Sequence, residues 1–165
     1  MSLLAMEALD MDAHIMKLSS IEKVRRFKVN ATRLERPELI VDCNRREVEL
    51  SAASSVIKTT TDVEKACLNA LCAYEVILHQ KHGKTVKATH TRRAVVKKGI
   101  IRAVEDAVLK GIEHTQSDIL ELHDAGMMDM SFEQVVHDYP DAFCTEAINA
   151  ANLTLQKYAS VGSAG

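Results

Sequence analysis

The chain reads as a mainly α protein: an irregular bundle of five or six helices, with one small β-hairpin near residues 38–50. Three observations predict this class. Only two prolines and six glycines interrupt 165 residues, so long stretches are free of helix breakers. Apolar residues make up 47% of the chain and aromatics 4%, which predicts a globular core built from aliphatic side chains. Apolar positions recur every three or four residues behind recognisable helix starts. A chain of this size buries a core without disulfide or metal staples. The reading is a single helical domain over 1–160, followed by a loose tail at 161–165.

Ser19 and Glu22 are spaced as a capping box, in which a hydroxyl and a carboxylate satisfy free backbone donors at a helix start. A short helix through Val24 and Phe27 follows and fades before Pro37, because the residue ahead of proline avoids helical dihedrals. From Glu38 to Leu50, apolar Leu39, Val41 and Cys43 alternate with their neighbours, as do Val48 and Leu50. Asn44-Arg45-Arg46 sits between the two runs. Period-two alternation around a polar turn predicts the hairpin.

Thr61-Asp62-Val63-Glu64 is a second capping box and opens the best-defined helix, running to about His82 with Gly83 as its stop. Val63, Cys67, Leu71, Tyr74 and Leu78 form its buried stripe. Residues 84–91 read as a loop, with Thr89 or Thr91 capping a helix through Val95 and Val96. Gly99 then marks either a kink or a turn between two helices, and Ile100, Val104 and Val108 continue at four-residue spacing. Thr115 and Asp118 start a helix ending near Gly126. Ser131 and Gln134 start a short one that stops before Pro140, and Thr145 caps the last.

The four cysteines, Cys43, Cys67, Cys72 and Cys144, form no CxxC pair, which predicts buried thiols in a reducing compartment. The first residues lack a basic region ahead of an apolar run, and the expectation is that they are not a signal peptide. No apolar run approaches a membrane span. The expected location is cytoplasmic, with no membrane partner.

Charge is the informative feature. The formal net charge is −2, but residues 76–104 carry eight Lys or Arg and no Asp or Glu. Residues 105–165 carry eleven acids and two lysines. The basic tract offers Lys84, Lys87, Arg92, Arg93, Lys97 and Lys98 as a surface for phosphates. Arg92 and Arg93 would fall in the first turn after Thr91, where cations oppose the helix dipole and an anion would be welcome. The expectation is a non-enzymatic binding protein, nucleic-acid-associated through segment 81–102, whose binding is salt-sensitive and weakened by R92A with R93A. The alternative is a homo-oligomeric helical interaction protein whose basic and acidic segments pair with each other. Surface ion pairs contribute about 0–1 kcal/mol each, so such pairing would serve mainly to cancel the field.

Other motifs fail on inspection. Gly83-Lys84-Thr85 lacks the earlier glycine and preceding strand of a phosphate-binding loop, since Leu78 occupies the glycine's position. Placing Gly99 at the turn of a helix-turn-helix would put Lys98 and Glu105 at buried positions. No aromatic lies between Tyr74 and Phe132, which argues against base stacking on the basic tract. Cys72, Glu75, His79 and His82 share one arc of a helix, but one helix rarely supplies every metal ligand. His114 and Asp118, His123 and Asp124, and His137 and Asp138 read as capping and solvated groups. Met127, Met128 and Met130 read as core filler or an interface. No catalytic residue, metal or cofactor is predicted.

Overall fold

A computed structural model describes residues 13–111 and 117–162. The described residues are mainly helical and include no strand. The chain groups into two compact units, residues 1–56 and 57–165.

The first unit is a helical hairpin. Helix α1 is Ile21–Arg33 and helix α2 is Pro37–Ala53. Its N-cap is Ser20 rather than Ser19: the Ser20 hydroxyl accepts the Lys23 amide at 3.2 Å. Glu35 takes the left-handed conformation, φ 54°, in the tight turn between the helices. Ile15, Val24, Ala31, Leu39 and Cys43 form the core, with Leu18, Phe27, Ile40 and Leu50 packed on it. Glu47 is buried and accepts from Arg25 Nε at 2.8 Å.

Residues 38–50 therefore do not form a hairpin of strands. Pro37 sits at the first helical position, where its missing N–H costs nothing and its fixed φ suits the helix. Leu39, Cys43 and Glu47 lie one turn apart, as do Asn44 and Val48, and all five are buried. Two buried polar residues interrupt that stripe in the sequence, and the short runs between them mimic alternation.

The second unit is built around helix α3, Asp62–His82. The Thr61 hydroxyl accepts the Glu64 amide at 3.2 Å, and the Glu64 carboxylate accepts from that hydroxyl at 3.0 Å. Gly83, at φ 71°, ends the helix as expected. Between Cys67 and Ile77 nearly every side chain is buried, because α3 packs against helices on several sides. These are α5, Ile100–Lys110, α6, Ser117–Asp124, and α7, Phe132–Asp138. Helix α8, Thr145–Gly162, closes the unit against α5 and α7. The Ser131 hydroxyl caps α7 through the Gln134 amide at 3.1 Å. Thr145 is the first residue of α8 rather than its cap; the Cys144 carbonyl accepts the Ile148 amide ahead of it. Thr115 and residues 163–165 of the expected tail lie outside the described residues.

Helix α4, Thr89–Lys98, packs chiefly on α5 and buries no side chain fully. Gly99 separates the two helices at φ 87° and ψ 161°, a conformation open essentially to glycine alone, so it is a turn and not a kink. Among the described residues no helix is long and apolar enough to cross a membrane.

Candidate anion-binding surface

The basic tract begins where α3 ends. The left-handed Gly83 turns the chain into an exposed loop carrying Lys84 and Lys87, and the buried Ala88 brings it back. Helix α4 then starts at Thr89, with no side-chain cap, and the Arg92 amide already donates to the Ala88 carbonyl at 2.8 Å. Arg92 and Arg93 accordingly stand in the second turn. The free amides of the helix start belong to residues ahead of them, and the dipole argument for an anion at the two guanidinium groups loses its force.

Four of the six expected residues come together. Lys87, Arg92, Arg93 and Lys97 line a shallow open depression of about 360 Å³, with Thr89 and Val96. Arg93 and Lys97 are one turn apart on the same exposed side of α4. Lys84 stands in the loop outside this lining, and Lys98 lies at the far end of the helix.

Carboxylates of the same chain answer several of these charges. Arg92 reaches back to Glu75 on α3, with Nε at 2.7 Å and Nη2 at 2.6 Å from Oε1. Lys87 Nζ is 3.5 Å from Glu75 Oε2. Lys98 pairs with Asp106, Lys81 with Glu121 at 2.8 Å, and Arg102 with Glu105 at 3.8 Å. Lys84, Arg93 and Lys97 have no ion-pair partner among the described residues. The basic tract is thus partly neutralised from within, and its open remainder is the loop and the Arg93–Lys97 side of α4.

Glu75 is the group whose role sequence reasoning did not find. Sequence reasoning weighed it only within an arc with Cys72, His79 and His82 and set that arc aside; its carboxylate meets Arg92 and Lys87. Burial pushes the Cys72 thiol up to about 11; the neighbouring Glu75 adds to this, and Arg92 and Lys87 oppose it. Among the described residues, no three His, Cys, Asp or Glu side chains converge on a site able to hold a metal ion. One signal could have flagged Glu75: it is the only charge between Lys65 and Lys81, within an otherwise apolar face.

His123 and His137 do not join this surface. His137 Nδ1 is 2.9 Å from Asn152 Oδ1, and His123 Nδ1 is 3.4 Å from Asp124 Oδ1. Both line a separate open cavity of about 650 Å³ with Gln134, Gln156 and Tyr158. His114 and the side chain of Asp118 lie outside the described residues. Met127 is core, and Met128 edges that cavity.

No family model matches the chain, and neither does any curated protein or solved structure.

Proposed function

We propose that this chain is a non-enzymatic binding module that engages nucleic acid through the basic surface of residues 84–98, with Arg93 and Lys97 at its centre. One observation carries the reading. These two side chains edge the same depression as Lys87, project from one side of a helix with no fully buried residue, and are left without a carboxylate partner among the described residues. Lys84 extends the positive field from the loop. Lys98 is engaged by Asp106 and stands at the margin. The depression is shallow and open, which suits a phosphate backbone running past it better than an enclosed small molecule.

The cytoplasmic location belongs to the same reading and is supported by four free thiols, three of them buried.

Homo-oligomerisation through complementary charge is the second reading. Ion pairs made inside the chain by Lys81, Lys98 and Arg102 leave fewer basic groups for a partner copy. Light scattering at low and high salt separates the two: a salt-loosened dimer supports this second reading.

The direct test of the first is fluorescence anisotropy with mixed-sequence duplex and single-stranded probes, from low to physiological salt. Binding is expected to weaken steeply with salt. Replacing Arg93 and Lys97 together by alanine should flatten the duplex log–log salt slope by about 1.8, two phosphate contacts at about 0.9 each. Absence of binding to either probe at low salt overturns the proposal.

A further inference from the structure

Ion pairs of the basic tract reach two buried carboxylates, Glu105 from Arg102 at 3.8 Å and Glu75 from Arg92 at 2.6 Å; the closer one borders the depression. Glu75 has a side chain only 9% exposed, on the most buried helix of the unit. Arg92 itself is 26% exposed and Lys87 59%, and both line the open depression beside Arg93 and Lys97. One end of the interaction is therefore buried and the other faces the proposed site.

The carboxylate is also incompletely satisfied. Both Arg92 contacts fall on Oε1, while the buried Oε2 has no hydrogen-bond partner. Lys87 is close enough to Oε2 to offset its charge but makes no hydrogen bond to it. Glu47 of the first unit shares this feature, with its own Oε2 unpartnered, so what sets Glu75 apart is its position beneath the depression. Placed here, it grips Arg92 and leaves Lys87, at 3.5 Å and mostly exposed, free to turn outward. It holds the Arg92 guanidinium fork, the best phosphate-binding geometry available to a side chain, turned onto the protein.

On the nucleic-acid reading above, we infer that Glu75 is a built-in competitor of the binding surface: it holds Arg92 out of the set of phosphate contacts and so limits the charge the site presents. The surface then works with Arg93, Lys97 and the loop lysines, and its affinity and salt dependence stay below what the basic tract would give if every cation were free. No carboxylate lies between Glu75 and Glu105 in sequence; Lys98, at the far end of α4, is met by Asp106, and Glu75 sets the limit for the loop and the first turns of α4.

The test measures duplex-probe binding against salt for the wild type, Glu75→Gln, Arg92→Ala and the double variant, with circular dichroism confirming the fold of each. Glu75→Gln keeps the shape and removes the charge. It should steepen the salt slope by about 0.9, one added phosphate contact. A fourfold reduction in salt would then tighten this variant about 3.5-fold more than it tightens the wild type. Adding Arg92→Ala to Glu75→Gln should restore the wild-type slope, and Arg92→Ala alone should leave that slope unchanged.

A folded Glu75→Gln whose slope matches or falls below the wild type overturns the inference and leaves the binding proposal standing. If Glu75→Gln does not fold, Arg92→Ala alone decides. An unchanged slope supports the inference, and a loss of about 0.9 overturns it, because Arg92 would then already be a contact. Binding seen only in Glu75→Gln overturns the binding proposal for the wild-type chain, and with it the inference that the wild-type surface works at reduced charge. Binding by none of the four proteins overturns both proposals together.

Discussion

Helices α3 and α4 follow one another across a short loop, yet they are held in different ways. Helix α3 has 21 residues, a side-chain cap at its start and a glycine stop at its end, and its middle turns are buried on nearly every side. Helix α4 has 10 residues, no side-chain cap and no fully buried side chain; Val96 on its surface is 89% exposed. Packing fixes the first. The second rests on its neighbour α5, on Ala88 and on the Arg92–Glu75 pair. Stability is unevenly distributed in such a unit, and the weakly buried element is where charge can be spent on a partner. The contrast predicts that α3 answers to packing and protonation, while α4 answers to charge.

The largest effect is expected on α3. Leu71 is 1% exposed, and Leu71→Ala should cost about 2–5 kcal/mol, read as a lowered denaturant midpoint or melting temperature. Val96→Ala on α4 should stay within about 0.5 kcal/mol of wild type. Comparable losses from the two substitutions would break the comparison.

Alkali probes the same helix through its thiols. Burial pushes the Cys67 thiol from 9.0 up to about 12 and Cys72 up to about 11. These groups keep their protons in the folded state above pH 9, whereas the unfolded chain releases them. The unfolded state then binds fewer protons, so stability falls as pH rises, beginning near 9 and continuing until the folded thiols titrate near 11 to 12. Each thiol withdraws about 1 kcal/mol per pH unit within that window. Melting temperatures across pH 8–10.5 should decline, and serine at both positions should flatten the decline.

How much of this was legible depended on the range of the interaction. Thr61 and Ser131 were readable as caps because hydroxyl and amide lie three residues apart, inside one turn. Ser19 was read as the first cap on its spacing to Glu22, and Ser20 takes that place because it is extended at φ −137° and ψ 149° and its hydroxyl accepts the Lys23 amide. Helix α2 was misread because Asn44 and Glu47 are buried polar groups, so the stripe that packs is not the stripe that looks apolar. Pro37 reads equally as the stop of one helix and the start of the next. The basic tract was visible as composition, and Arg93 and Lys97 kept their place on an open surface. Its division into free and engaged cations was not visible, because Glu75 and Arg92 are 17 residues apart and meet only when α4 folds back on α3.

The finest test of the comparison lies at the two helix starts, which both carry threonine. The Thr61 hydroxyl accepts the Glu64 amide, so Thr61→Ala leaves a free donor and should cost about 1 kcal/mol. The Thr89 hydroxyl instead donates to the Lys87 carbonyl at 3.3 Å, within the loop and away from the free amides of α4. Thr89→Ala removes no cap and also raises intrinsic helix propensity at the first helical position. Its cost should be within a few tenths of a kcal/mol, measured by the same denaturant titration. A Thr89→Ala loss equal to that of Thr61→Ala would mean that the start of α4 is fixed as firmly as the start of α3. The charge-held character assigned to α4 would then have to be withdrawn.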